Sequence, residues 1–141
     1  MRKGNLLMVQ NRVPKEIIEF KSAAEWNELN LKFKDNLILV TFYTNSCPIC
    51  KSFAPHFAAT QKEFIIRNVI FCRMNAEINP VIASQLGVAG VPATVLIKNK
   101  EIIHRFTGSM VKAQLKSLIN QILVKEFKQK PIVDESDSMY L

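Results

Sequence analysis

Cysteine is scarce in this chain: there are three among 141 residues. That is too few for a disulfide scaffold, and an odd number cannot pair completely, so the chain does not read as a stapled secreted domain. The expected setting is reducing and cytoplasmic, with any disulfide transient. Long apolar runs are missing too. No stretch approaches the roughly 20 apolar residues of a membrane span, and no membrane association is expected. Arg2 and Lys3 precede an apolar patch at 6–9, but that patch is too short for a signal core, and Gln10, Asn11 and Arg12 follow it where a small-residue cleavage site would stand. There is no internal repeat and no low-complexity segment. Dense runs of one charge are also absent. The 19 Lys and Arg outnumber the 12 Asp and Glu, giving +7, yet the cations are scattered along the chain. Without basic–aromatic interleaving, a nucleic-acid partner is not expected; a basic surface that favours acidic protein partners is.

Hydrophobic residues make up 48% and charged residues 22%, the balance of a globular domain. The length fits one domain with a core large enough to need no staples. We divide it into a basic arm at 1–15, a domain at 16–127, and a polar, acidic tail at 128–141 expected to be disordered. Asp134, Glu135 and Asp137 make that end acidic.

The chain is organised around Thr41-Phe42-Tyr43-Thr44-Asn45-Ser46-Cys47-Pro48-Ile49-Cys50-Lys51. The apolar run from Leu37 to Tyr43 suits a strand covered on both faces. A polar loop, Thr44 to Ser46, follows, and then two cysteines at the expected start of a helix. Cys47 falls at the N-cap, and Pro48 at the first helical position, where its missing N–H costs nothing. A helix N-terminus stabilises a thiolate through its dipole and its unpaired N–H groups. In Cys-x-x-Cys motifs at helix starts, thiol pKa values of roughly 3.5 to 7.5 occur. Cys50 lies under one turn further on, so both sulfurs can meet on one side. This points to a dithiol that exchanges with disulfides.

Other readings of these thiols are weaker. A zinc site would need two further ligands, and Cys72, His56 and His104 stand at no recognisable spacing, so neither metal nor cofactor is expected. His56 lies about 13 Å along the helix from Cys47 and cannot activate it. Cys72, in an apolar strand, reads as an inert core thiol.

Around this centre, 17–20 is a strand candidate. Ser22 with Glu25 forms a capping box that starts a helix at Ala23, with Trp26, Leu29 and Phe33 on its buried face. The Cys47 helix continues through Phe53, Phe57 and Phe64, with Pro55 expected to kink it. Val69 to Met74 is a strand, and Asn79-Pro80 opens a short helix that Gly87 ends. Ala93 to Lys98 and Ile102 to Thr107 form a hairpin across Asn99-Lys100-Glu101. Ser109 is expected to cap a last helix with Leu115, Leu118, Ile119, Ile122 and Leu123 on one face. The order β-α-β-α-β-α-β-β-α implies an α/β fold with parallel strands and a late antiparallel edge. Sites in such sheets sit at the carboxyl ends of strands, where Tyr43 hands the chain to Cys47.

From 17 to 123 this layout resembles thioredoxin. The resemblance rests on Val40-Thr41-Phe42-Tyr43 before Cys47-Pro48-Ile49-Cys50-Lys51, on Pro55 in the following helix, on Gly87-Val88-Ala89-Gly90-Val91-Pro92-Ala93-Thr94, and on Gly108 before the last helix. It implies the thioredoxin fold, a central mixed β-sheet flanked by helices. It also implies a protein disulfide oxidoreductase acting as a monomer. By this resemblance Cys47 is the nucleophile and Cys50 the resolving thiol. Ser46, Pro48, Ile49, Val91 and Pro92 would contact substrate, with a cis Val91–Pro92 bond exposing a strand-like edge. The implied partners are disulfide-bearing protein substrates and an electron donor of the thioredoxin-reductase type.

The chain departs from the family pattern where the thiols are tuned. Pro48-Ile49 replaces the usual Gly-Pro, Ser46 the usual tryptophan, and Thr41 the usual buried aspartate. Arg73 stands where a lysine is common, and Glu77 near an acidic position. Two other functions therefore stay open: a binding or redox-sensing adaptor with little turnover, and a disulfide-forming oxidant.

Overall fold

The computed structural model describes residues 12–134. The first eleven residues of the expected arm, and Glu135 and Asp137 in the tail, lie outside the described residues. The elements follow the order β1 (Ile18–Phe20), α1 (Ala23–Lys32), β2 (Ile38–Tyr43), α2 (Pro48–Phe64), a 3-10 turn (Ile65–Arg67), β3 (Ile70–Asn75), α3 (Pro80–Gln85), β4 (Ala93–Lys98), β5 (Glu101–Thr107) and α4 (Lys112–Phe127).

One five-stranded sheet has the order β1-β3-β2-β4-β5. β3 is parallel to both β1 and β2, and β4 is antiparallel to both β2 and β5. β2 therefore lies in the middle of the sheet, with helices on both faces. Successive strand residues point to opposite sides. Val40 and Phe42 join Phe20, Trp26, Leu29 and Ile82 in one core layer. Leu39 joins Phe53, Phe57, Phe71, Leu115 and Ile119 in the other. This two-sided burial is why β2 shows no polar alternation.

Local signals explain most boundaries. Ser22 Oγ accepts from the Glu25 N–H at 3.2 Å, while the Glu25 carboxylate accepts from Lys21 N–H at 2.9 Å, one residue earlier than in the usual capping box. α2 continues through the exposed Pro55 as far as Phe64. Gly87 ends α3 with φ +74°, a conformation that costs glycine little.

Three expectations change. The β4–β5 connection is two residues, not three: Asn99 and Lys100 take φ values of 53° and 67°, and Glu101 already pairs with Lys98. Positive φ at both central residues matches the twist of the strands they join. Ser109 does not cap α4. The helix starts after Val111, which makes no side-chain cap, and the Lys112 N–H donates instead to His56 Nδ1 of α2 at 3.2 Å. Finally, residues 128–134 are not a loose tail. Lys128, at φ 55°, ends α4, and the chain turns back along it. The Asn120 side chain exchanges two hydrogen bonds with the Ile132 backbone, at 2.6 and 2.8 Å, and Ile132 packs on the second core layer. At the other end, Gln61 Nε2 donates to the Lys15 carbonyl at 3.0 Å and Val13 packs on the first layer, so residues 13–15 of the arm lie against the domain.

Candidate active site

β2 ends at Tyr43, and the polar turn Thr44–Ser46 carries the chain from the sheet to α2. Cys47 is the N-cap of α2, with extended backbone, and Pro48 is its first residue. The Cys50 N–H donates to Cys47 Sγ at 3.1 Å. This is the unpaired N–H of a first helical turn aimed at the sulfur, a geometry that favours negative charge there. The two sulfurs are bonded as a disulfide, with the Cα atoms 5.2 Å apart. The pair is not symmetric. Cys47 is half-buried, whereas Cys50 is only 6% exposed. Ser46, Pro48 and Ile49 are exposed around them, Ile49 at 54%.

The Val91–Pro92 bond is cis. It brings the Val91 carbonyl oxygen to 4.0 Å from Cys47 Sγ. Thus Cys47, Cys50, Val91 and Pro92, distant in sequence, form one site at the carboxyl end of β2. On its outer side, an open groove of about 560 Å³ runs between α3 and the loop 87–91, with Thr44, Glu77, Pro80 and Val91 along it.

Behind Cys50 lies a smaller cavity of about 150 Å³, lined by Thr41, Tyr43, Phe53, Arg73 and Pro92 among others. Thr41 is buried and its hydroxyl accepts from Thr94 Oγ1 at 3.1 Å. Among the described residues, no carboxylate lines this cavity. Arg73 instead pairs with Glu19 of β1 at 3.4 Å and stacks on the Tyr43 ring, 4.1 Å from its centroid. The Tyr43 hydroxyl donates to the same Glu19 carboxylate at 2.7 Å. Burial, then the bond to Glu19, hold the Tyr43 phenol above its ordinary range against the opposing pull of Arg73.

The remaining candidates lie apart from this centre. His56 faces α4. His104 is exposed on β5 opposite Leu96. Cys72 is fully buried, and burial pushes its thiol well above the ordinary range, which suits an inert core position. Glu77 is exposed, and its backbone N–H bonds Asn75 Oδ1 at 2.8 Å. Sequence reasoning missed Glu19, because its link to Arg73 arises from the β1–β3 register rather than from sequence spacing.

Comparison with known proteins gives consistent matches. A family model described as Thioredoxin matches residues 17–121. The chain is 32% identical over 115 residues to thioredoxin H5 of Arabidopsis thaliana, covering 78% of this chain and 89% of that protein. It is 34% identical over 86 residues to thioredoxin of Buchnera aphidicola, covering 61% of this chain and 78% of that one. Among solved structures, the X-ray structure of Fasciola hepatica thioredoxin superposes with a TM-score of 0.68 at 28% identity, covering 74% of this chain and 98% of that one.

Proposed function

The chain belongs to the thioredoxin family and is a thiol–disulfide oxidoreductase, and on that premise we propose that it reduces protein disulfides with Cys47 as nucleophile and Cys50 as resolving thiol. The observation that carries the assignment is the unequal exposure of the two cysteines. Cys47 is the more exposed residue of the pair, and its sulfur is also the one facing the Cys50 N–H. The Cys47 thiolate attacks one sulfur of the substrate disulfide. A Cys47–substrate disulfide forms and the other substrate sulfur leaves as a thiolate that takes up a proton. Cys50 then loses its proton and attacks Cys47 Sγ. The second substrate thiolate leaves, and the Cys47–Cys50 disulfide remains. Two electrons have passed to the substrate.

In this reading, substrate segments dock in extended form against the Val91 backbone, with Ser46, Pro48, Ile49 and Pro92 around the reacting sulfurs. A thioredoxin-reductase-type donor returns the pair to the dithiol. The protein works as a monomer in the cytoplasm, where a reducing poise keeps the thiols available. In the described residues, no helix is long and apolar enough to cross a membrane.

A second reading, disulfide formation, is favoured by one observation. Among the described residues no carboxylate lines the cavity behind Cys50, and the Arg73 cation at its wall is already paired with Glu19, so a thiolate there meets no like charge, which would make the pair more oxidising. Equilibration of the cysteine pair with a glutathione redox buffer separates the two. A potential near about −270 mV supports the reductase, while one near about −120 mV supports the oxidant. Reduction of insulin disulfides that persists after Cys47→Ser would remove the proposed mechanism altogether.

A further inference from the structure

The loop that presents Val91 to Cys47 has little holding it in its middle. Ala89 and Gly90 are exposed, and a side chain added at Gly90 would meet nothing within 4 Å. Among the described residues, no backbone–backbone hydrogen bond reaches Ala89, Gly90 or Val91. The loop is fixed at its ends. On the far side, the Gly108 N–H donates to the Pro92 carbonyl at 2.8 Å. On the near side, the Val88 N–H bonds the Ala83 carbonyl at 2.8 Å, and Arg105 Nη1 donates to the Leu86 carbonyl, also at 2.8 Å.

Arg105 belongs to β5, two strands away from the cysteines. The register sets it opposite Val95, whose side chain lies in the core layer under α1 and α3. From that face its guanidinium reaches the end of α3. It lies against Gly87, where a Cβ would overlap Nη1. Gly87 therefore leaves room for Arg105 as well as adopting the positive φ. A guanidinium on a carbonyl at a helix end makes a charge-assisted bond, stronger than a neutral one. Both ends of the loop are thus tied to one element, through the Arg105 side chain and through the backbone of Gly108, which directly follows β5.

We propose that Arg105 is a positioning residue for substrate docking: it pins the α3 end of the loop 87–91 and so sets the edge that Val91 offers to an extended substrate. This rests on the reading that substrates dock along Val91. Arg105 touches neither sulfur, so its loss should weaken docking and leave thiol chemistry intact.

The test uses reduced wild-type protein and Arg105→Ala in single-turnover reactions with three disulfides. One is an extended peptide carrying a cystine. The second is the same peptide N-methylated beside the cystine, which removes a backbone donor. The third is hydroxyethyl disulfide, which has no backbone to dock. In Arg105→Ala the half-saturating concentration of the plain peptide should rise about fivefold, with its limiting rate and the hydroxyethyl disulfide rate within about twofold of wild type. Equal losses on peptide and hydroxyethyl disulfide would overturn the proposal, since they would mean an effect on the thiols or on the whole fold. So would an unchanged peptide dependence in a protein for which N-methylation is costly. If N-methylation costs the wild type nothing, the docking reading itself fails and the proposal falls with it.

Discussion

At the residue scale the two thiols have different surroundings, and the difference predicts different failures. Cys47 is half-buried at an N-cap, while Cys50 is buried behind it. Cys47→Ser should abolish disulfide reduction. Cys50→Ser should still attack but stall, so mass spectrometry of the reaction should show protein joined to substrate. A second residue-scale prediction concerns Tyr43. Its phenol is held above the ordinary 10.0 by burial and by Glu19. A native state that binds the proton more tightly than the unfolded chain gains stability that is intact below about pH 10 and fades as pH rises through the native pKa. Glu19→Gln should bring the phenol down towards 10.0 without reaching it, because burial, the larger cause, remains. Ultraviolet titration of tyrosinate absorbance follows this, and an unchanged titration would show that Glu19 is not a determinant.

At the element scale, α2 carries the cysteines and is held against α4 by contacts beyond the aromatic core. Glu63 of α2 pairs with Lys112 and, at 3.0 Å, with Lys116 of α4; Lys116 in turn bonds Asp134 of the docked segment at 2.6 Å. The bond from Lys112, followed by the pairing with Lys116, lowers the Glu63 carboxyl against the opposing effect of burial. Burial disfavours the Lys116 ammonium, but its bonds to Asp134 and Glu63 together outweigh this and raise it. For a depressed carboxyl, the stabilisation is present above the ordinary value of 4.5 and is lost as pH falls through the native one. Thermal melts of wild type should therefore weaken below about pH 4.5, and Glu63→Gln should flatten that part of the profile while losing stability at pH 7. Equal acid sensitivity in both proteins would assign the loss to other carboxylates.

At the scale of the whole molecule, the aromatic core runs up to the cavity behind Cys50, which Phe57 helps to line, while the docked segment on α4 lies apart from it. Phe57 is 1% exposed and stacks edge-on with Phe71 across the sheet–helix interface, with ring centroids 5.0 Å apart. Phe57→Ala should cost about 3–5 kcal/mol, a large share of a typical total of about 5–15 kcal/mol. Ile132, partly buried where the chain turns back on α4, should cost less. Ile132→Ala should lower stability by about 1–2 kcal/mol in denaturant unfolding and leave disulfide reduction unchanged. A drop in reduction rate in that variant would reveal coupling between the α4 face and the cysteines.

Much of this was legible in the order of residues. The apolar run of β2, the N-cap position of Cys47 with Pro48 behind it, and the Ser22–Glu25 cap are local, and backbone sterics and short-range hydrogen bonds decide them. The thiol pair and its likeness to thioredoxin follow from the same local pattern. Other features depended on which strand lies beside which. Glu19 meets Arg73 because β1 pairs with β3, Arg105 reaches Leu86 from β5, and His56 supplies the acceptor that Ser109 was expected to provide. The return of residues 128–134 along α4 is of the same kind, since Asn120 supplies partners for the Ile132 backbone and Lys116 one for Asp134, which composition does not reveal. The sequence by itself determined the reactive thiols and the elements that carry them. Tertiary structure decided what surrounds those thiols, because pairing register and packing join residues that sequence spacing leaves far apart.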